Sequence, residues 1–278
     1  MIYLICTPIG NLNDISLRSI ETLNRSDLIF AEDTRKAKKI FDKFGINKKS
    51  FSFNDHNERS KTINIINEAK AGKIISVISD AGAPLISDPG YTLVTECIKE
   101  NIEFTVLPGP SSIINSLLLS GLEIDKFMFL GFLPRKDSER RKLFENNLKN
   151  DATLVFFESP KRLIKTLLVM RDVYPQNKQI VICREMTKIY EEVIRGTISN
   201  TLQKVSSRVI KGEICLLIEG YKSSLGTKLS LNREIKDLVL KNMSPNDAAK
   251  LLSLITKQNK RDLYNLLIKK SWRKKFFK

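Results

Sequence analysis

The chain has 278 residues, 42% of them hydrophobic, which suffices for more than one buried core and points to two or three compact units. Its 47 Lys and Arg against 31 Asp and Glu give a net charge of +16, which favours a polyanionic partner. No run approaches the ~18 apolar residues of a membrane span, so a soluble, non-membrane protein is expected.

Met1 to Ile5 is apolar but has neither a basic leader nor a small-residue cleavage site, so it reads as a first strand rather than a signal peptide. Further short β-branched or aromatic runs follow at Leu28–Ala31, Lys49–Phe53, Ile74–Ile78 and Phe104–Leu107, the first lying at Tyr3–Cys6. Between them, helical patterns begin near Ser16, Thr34, Arg59, Tyr91 and Ser111, with Gly45, Gly72 and Gly121 at helix-stop positions. This alternation predicts an α/β domain over residues 1–110 with a mostly parallel sheet covered on both faces. A second, α+β domain with a mixed sheet is expected over residues 122–220. Its strands are Phe127–Leu130, Thr153–Phe157, Gln179–Cys183, Tyr190–Ile194 and Ile214–Ile218, with helices at Lys161–Asp172 and Thr201–Val209.

A polar Gly/Ser-containing stretch, Tyr221–Lys228, reads as a linker to a small helical domain at residues 229–278. There Leu231–Leu240, a helix opened by Ser244 and Pro245, and Lys260–Ile268 suggest a helix-turn-helix-like module. From Lys222 to Lys278 there are 15 basic and 4 acidic residues, and Trp272, Phe276 and Phe277 are interleaved with lysines and Arg273. That pattern points to nucleic acid.

Cys6, Cys97, Cys183 and Cys215 lie far apart in apolar runs, so buried free thiols of a reducing cytoplasm are expected. With one histidine and no cysteine pair at ligand spacing, no structural metal is expected.

Strand ends are where a parallel sheet binds ligands. Four of them carry unusual Gly/Pro content: Thr7–Leu12, Ser79–Gly90, Pro108–Ser112 and Phe157–Pro160. Glycine admits a ligand close to main chain and proline holds a loop open, so together they suggest a preformed cradle. Neither GxGxxG nor GxxxxGK[ST] occurs, which argues against dinucleotide and P-loop sites.

These segments resemble the ribosomal RNA small-subunit methyltransferase I family of the tetrapyrrole-methylase-like superfamily. The resemblance is carried in order by T-P-I-G-N-L (Thr7–Leu12), A-E-D-T-R (Ala31–Arg35), S-D-A-G-A-P-L-I-S-D-P-G (Ser79–Gly90), G-F-L-P (Gly131–Pro134), F-F-E-S-P-K-R (Phe156–Arg162), R-E-M-T-K (Arg184–Lys188) and K-G-E (Lys211–Glu213). It implies a two-domain core with S-adenosylmethionine in the cleft, a homodimer, and as substrate the ribose 2′-hydroxyl of a cytidine in the decoding region of 16S rRNA, free or in the small subunit. The cofactor positions it implies are Ile9, Gly10, Asp80, Ala83, Ser112, Ile113 and Phe157; Ala83 stands where Thr is commonest.

A ribose hydroxyl is too weak an acid to ionise freely, so a base or a cationic stabiliser is needed. Glu58 or Glu158 is the expected base, with Arg35 and Arg184 on phosphate; His56, the single histidine, sits in a polar loop and reads first as a surface contact. Two alternatives remain at this stage: a methyltransferase for a tetrapyrrole such as a precorrin, and a non-catalytic RNA-binding or assembly factor.

Overall fold

A computed structural model describes residues 1–221, 241–256 and 259–268. Residues 1–220 form one compact unit built on two five-stranded sheets, and residues 221–278 a second unit.

The first sheet comprises β1 (Ile2–Ile5), β2 (Leu28–Ala31), β3 (Ser50–Ser52), β4 (Ile75–Ile78) and β5 (Phe104–Leu107), all parallel, in the order β3-β2-β4-β1-β5. Every residue of the central β4 is buried, as expected of a strand covered on both faces. One face packs Ile65, Ile66 and Ala69 of α3 (Glu58–Lys70) with Leu93 and Cys97 of α4 (Tyr91–Lys99). The other takes Leu23 of α1 (Leu17–Arg25) and Ala37, Ile40 and Phe41 of α2 (Thr34–Phe44). Local chemistry sets the helix ends. Ser16 and Asp33 accept amide hydrogen bonds from Ser19 and Arg35 at the starts of α1 and α2, and Gly45 ends α2 in the left-handed conformation at φ +65°.

The second sheet runs β6-β7-β10-β8-β9, from β6 (Phe127–Phe132), β7 (Thr153–Glu158), β8 (Gln179–Arg184), β9 (Glu192–Thr197) and β10 (Ile214–Ile218). Only the β6–β7 pair is parallel; the sheet is mixed, as expected. Its outer face is filled by α6 (Asp137–Asn146), α7 (Pro160–Val173) and α8 (Ile198–Ser206). Its inner face packs against Leu117 of α5 (Ser112–Ser120) and Ile9 of the first lobe. Ile9 thus reaches out of the β1 loop into the second sheet's core. Together with α5 it makes the two sheets parts of one body.

Two elements differ from the sequence reading. β9 starts at Glu192, not Tyr190, because the preceding segment turns: Glu185 and Thr187 have φ of +51° and +63°, and the Thr187 amide donates to Glu191 at 2.6 Å. Ile189 and Tyr190, strand-like in composition, stand 95% and 72% exposed. α8 starts at Ile198, three residues before the expected Thr201, because the Thr197 hydroxyl caps the Asn200 amide.

In the C-terminal unit two helices, Pro245–Thr256 and Lys260–Ile268, bury Ala248, Ala249, Leu252, Leu263 and Leu267 between them. The Ser244 hydroxyl accepts the Asp247 amide at 3.2 Å, as the Ser-Pro-x-Asp pattern requires. The expected helix at Leu231–Leu240 and the aromatic residues Trp272, Phe276 and Phe277 lie outside the described residues. Among the described residues no helix is long and apolar enough to cross a membrane.

Candidate active site

The carboxyl ends of β1, β2 and β4 and the end of β7 in the second sheet open onto one cavity of about 490 Å³, a usual size for a small-molecule site. The β1 and β4 loops are fastened to each other there. Thr7 and Gly82 exchange both main-chain hydrogen bonds at 2.9 Å, and the Ser79 hydroxyl donates to the Gly82 carbonyl at 2.9 Å. Gly82 has φ +81°, and a Cβ on it would touch Ile9. A side chain there would intrude on the cavity wall.

Of the expected cofactor residues, Ile9, Asp80, Ala83, Ser112, Ile113 and Phe157 all line this cavity. Phe157 is held by edge-on contacts with Phe129 and Phe132, at centroid distances of 4.9 and 5.2 Å. Gly10 is the exception. It faces away, pressed against the second-lobe loop Met186–Lys188, where a Cβ would come within 2.5 Å of Lys188 Cγ and 2.8 Å of the Met186 carbonyl. Next to it the Asn11 amide donates to Thr187 Oγ1 at 3.0 Å.

That loop is itself braced. Lys188 pairs with Glu185 and Glu213 at 2.8 and 2.9 Å, and Gly212 lies against the Glu185 side chain. Burial works against ionisation of Glu185, yet the hydrogen bonds from Lys188 and the Glu213 amide hold its carboxyl below the usual range. The segments R-E-M-T-K and K-G-E therefore meet as one scaffold. Met186, Gly212 and Glu213 present its inner side to the cavity.

The four residues expected to act on the acceptor are placed differently. Glu58 lines neither this cavity nor the adjoining one; its carboxylate accepts the Gly90 and Thr92 amides at 2.9 Å and caps the start of α4. Glu158 is at the cavity edge but is 3% exposed with both oxygens taken. Oε1 accepts the Ser159 amide and pairs with Arg162, each at 2.6 Å, while Oε2 accepts the Thr166 hydroxyl at 2.6 Å and lies 3.9 Å from the buried Arg140. Glu58 therefore lies off the cavity, and Glu158 keeps no unbonded oxygen to act as a base. Arg184 donates to Glu192 and to the Lys211 carbonyl, bracing β8 against its neighbours rather than facing a phosphate. Arg35 is the one that remains open: it pairs with Asp33 at 2.7 Å with its side chain 88% exposed. Hydrogen bonds from Arg35 depress the Asp33 carboxyl to about 2. Both border a second, more open cavity with Ser52, Asn54, Asp55 and His56, which meets the first at Glu32 and Asp80.

Sequence reading missed the acidic corner where the cavities meet. Asp80 Oδ1 accepts the Asp33 amide and Oδ2 pairs with Lys36, both at 2.8 Å, so Asp80 ties the β4 loop to the start of α2. Lys36 is raised above its ordinary range chiefly by that bond. Glu32 and Asp88 face the same space. Glu32 is raised by burial first and then by Asp80, and its Oε2 is buried without a hydrogen-bond partner. Asp88 is pushed up to about 7, by burial first and then by the charges of Glu32, Asp80 and Asp55, against a smaller opposing pull from Lys36. The cysteines do not compete as nucleophiles. All four are buried, and burial raises the thiols of Cys97 and Cys183 to about 11 and that of Cys215 to about 12. Among the described residues no group of three or more His, Cys, Asp or Glu could hold a metal ion.

Fold and cavity are those of a methyltransferase class: the chain belongs to the tetrapyrrole (corrin/porphyrin) methylases, whose family profile matches residues 1–201. These enzymes use S-adenosylmethionine, and so does this one. Its relatives narrow the class. It is 40% identical over 273 residues to the ribosomal RNA small subunit methyltransferase I of Rickettsia prowazekii, covering 98% of this chain and 97% of that one. It is 39% identical over 271 residues to the enzyme of the same name from Halalkalibacterium halodurans, covering 95% and 93%. The namesake from Thermotoga maritima is 42% identical over 214 residues, 96% of its length but 77% of this chain. Among solved structures, a diphthine synthase superposes with TM-score 0.60 at 14% identity, covering 78% of this chain and 89% of that one. A cobalt precorrin-4 methyltransferase gives 0.59 at 13%, covering 78% and 94%. These last two speak for the fold alone.

The cavity suits the cofactor by its own chemistry. S-adenosylmethionine is cationic at sulfur and at its ammonium group, and the carboxylates of Glu32, Asp80 and Glu213 outnumber the single Lys36 in the lining. The adenine requires apolar walls, which Ile9, Ala83, Ile113, Phe157 and Met186 provide.

Proposed function

We propose that the protein transfers a methyl group from S-adenosylmethionine to the ribose 2′-hydroxyl of a cytidine in the decoding region of 16S rRNA, in the cytoplasm. The observation that supports this most is the agreement of near full-length relatives, all named for the small ribosomal subunit, with a cavity built for a cationic cofactor. In this reading Ile9, Ala83, Ser112, Ile113 and Phe157 hold the cofactor directly, Asp80 fixes the acidic corner, and Gly10 acts from behind its loop. The bound cofactor supplies an electrophilic methyl carbon on a good leaving group. The protein's part is to align the acceptor oxygen with that carbon, exclude water and receive a proton. In the same reading Arg35 exchanges Asp33 for an RNA phosphate, which its exposure beside the second cavity supports. A homodimer belongs to the same proposal.

The C-terminal unit adds affinity rather than chemistry. The Thermotoga maritima namesake leaves about a quarter of this chain unmatched, close to the size of that unit. Removing residues 221–278 is expected to weaken RNA binding and flatten its salt dependence while leaving cofactor affinity within about threefold (under ~1 kcal/mol). A shortened chain that no longer binds cofactor contradicts this.

The whole reading is tested by incubating the protein with labelled S-adenosylmethionine and small subunits from cells lacking it, then mapping the label. We expect it in one 2′-O-methylated cytidine of 16S rRNA. Absence of RNA label from protein that binds cofactor favours a tetrapyrrole substrate or a non-catalytic role.

A further inference from the structure

We propose that Asp88 is the general base of the reaction, its carboxylate taking the proton of the acceptor hydroxyl at the acidic corner of the cavity. The proposal rests on the function given above and names a residue for its hardest step.

Three features of the fold single out Asp88. It lines the cofactor cavity, yet among the described residues its carboxylate has no hydrogen-bond or ion-pair partner, whereas Asp80, Glu158 and Glu213 each have one and Glu32, whose other oxygen is buried, is bonded by the Asp80 amide. A base must keep a lone pair free for its substrate. Second, the segment that delivers it is strained: Leu85 and Ser87, neither of them glycine, have φ of +71° and +66°. Such conformations persist only where surroundings enforce them, and they concentrate at functional sites. Third, the enforcing contacts are visible. Leu85 packs under Gly90, where a Cβ would come within 2.8 Å of Leu85 Cγ, and Glu58 accepts the amides of Gly90 and Thr92 immediately downstream. Glu58 is thus a positioning residue for the Asp88 segment.

The surroundings also set its basicity. Facing Asp88 are Glu32 at the end of β2, Asp55 after β3, Asp80 at the end of β4 and Lys36 on α2; burial and the three acids raise its pKa to about 7, and Lys36 offsets them only in part. A carboxylate of ordinary acidity would be a poor acceptor for a ribose proton; one near 7 combines stronger basicity with substantial ionisation at neutral pH. In the step itself the acceptor O–H bond breaks towards Asp88 as the oxygen lone pair forms the new O–C bond. The C–S bond breaks with its electron pair left on sulfur, giving a neutral thioether. Asp88 then returns its proton to water.

The test is single-turnover methylation of small subunits by the full-length protein between pH 5.5 and 8.5, alongside titration of S-adenosylmethionine binding. For the unaltered protein the rate should rise about tenfold per pH unit below 7 and level off above it, because only the ionised carboxylate accepts a proton. Asp88→Asn should lower the plateau by roughly 10²–10⁴-fold, abolish the rising limb and leave cofactor affinity within about threefold. Asp88→Glu should restore part of the rate together with a limb. An Asp88→Asn protein that keeps the limb overturns the assignment. So does one whose cofactor affinity falls as far as its rate, which would make Asp88 a cofactor ligand. Absence of RNA methylation by the unaltered protein overturns the functional reading itself, and this proposal with it.

Discussion

Glu158→Ala will cost the first unit about 3–5 kcal/mol of stability, the usual penalty for stripping a buried charge pair of one partner. Among the described residues Glu158 is the buried acid of a polar network: Arg140, 1% exposed, donates to Thr166, to the exposed Asp137 and to the Arg135 carbonyl, while Arg162 bonds the Leu133 carbonyl at 3.0 Å. Without the carboxylate, Arg162 loses its acidic partner, Arg140 keeps only the exposed Asp137, and the Ser159 amide loses its acceptor. Arg140 Nε is already buried without a partner, so the network has no spare acceptor to offer. Urea denaturation should therefore show a midpoint drop for Glu158→Ala at unchanged m-value. Glu158→Gln should fall between the two, since an amide oxygen can still accept one of the hydrogen bonds. A loss below about 1 kcal/mol for the alanine variant would mean that the network is solvated, and would reopen Glu158 as a base.

The contrast between Glu158 and Asp88 shows what the chain discloses on reading and what it withholds. Fold class was legible because it follows from short-range pattern: β-branched runs spaced by amphipathic stretches, with Ser16 at a helix start and Gly45 and Gly121 at helix stops. The cofactor loops were legible because Gly and Pro at strand ends have a direct geometric meaning, and Gly82 and Thr7 fulfil it. Where the reading slipped, at Tyr190 and Thr201, a local turn or cap outweighed hydrophobic pattern. The reactive group could not be found that way. Asp88 sits in Ser-Asp-Pro-Gly, which reads as an ordinary tight turn; its character comes from burial first and then from Glu32, Asp80 and Asp55, each delivered by a different strand end. Glu58 and Glu158 looked more suitable in sequence because nothing local reveals that Glu58 turns away from the cavity to cap α4 or that Arg162, Thr166 and the Ser159 amide have claimed both oxygens of Glu158.

Gly10→Val will separate the two lobes of the site without dismantling either. A Cβ at position 10 meets Lys188 Cγ at 2.5 Å and Thr187 Oγ1 at 2.6 Å, on side chains already held by Glu185, Glu213 and the Asn11 amide, and the Met186 carbonyl at 2.8 Å, which moves only with its loop. That loop is held by Glu185, Glu213 and Glu191 and presents Met186 to the cavity. Displacing it breaks the Asn11–Thr187 hydrogen bond and draws Ile9, 7% exposed, away from the second sheet's core. Both apolar walls then shift together. S-adenosylmethionine affinity should fall at least about tenfold, equivalent to ~1.4 kcal/mol. Gly45→Ala is the control: its φ of +65° imposes a backbone penalty of about 1–2 kcal/mol, but nothing lies within 4 Å of the added Cβ. That variant should lose stability and keep cofactor affinity. If Gly10→Val bound the cofactor normally, the contact between the lobes would be packing alone, and the cavity walls would have to be set independently by each sheet.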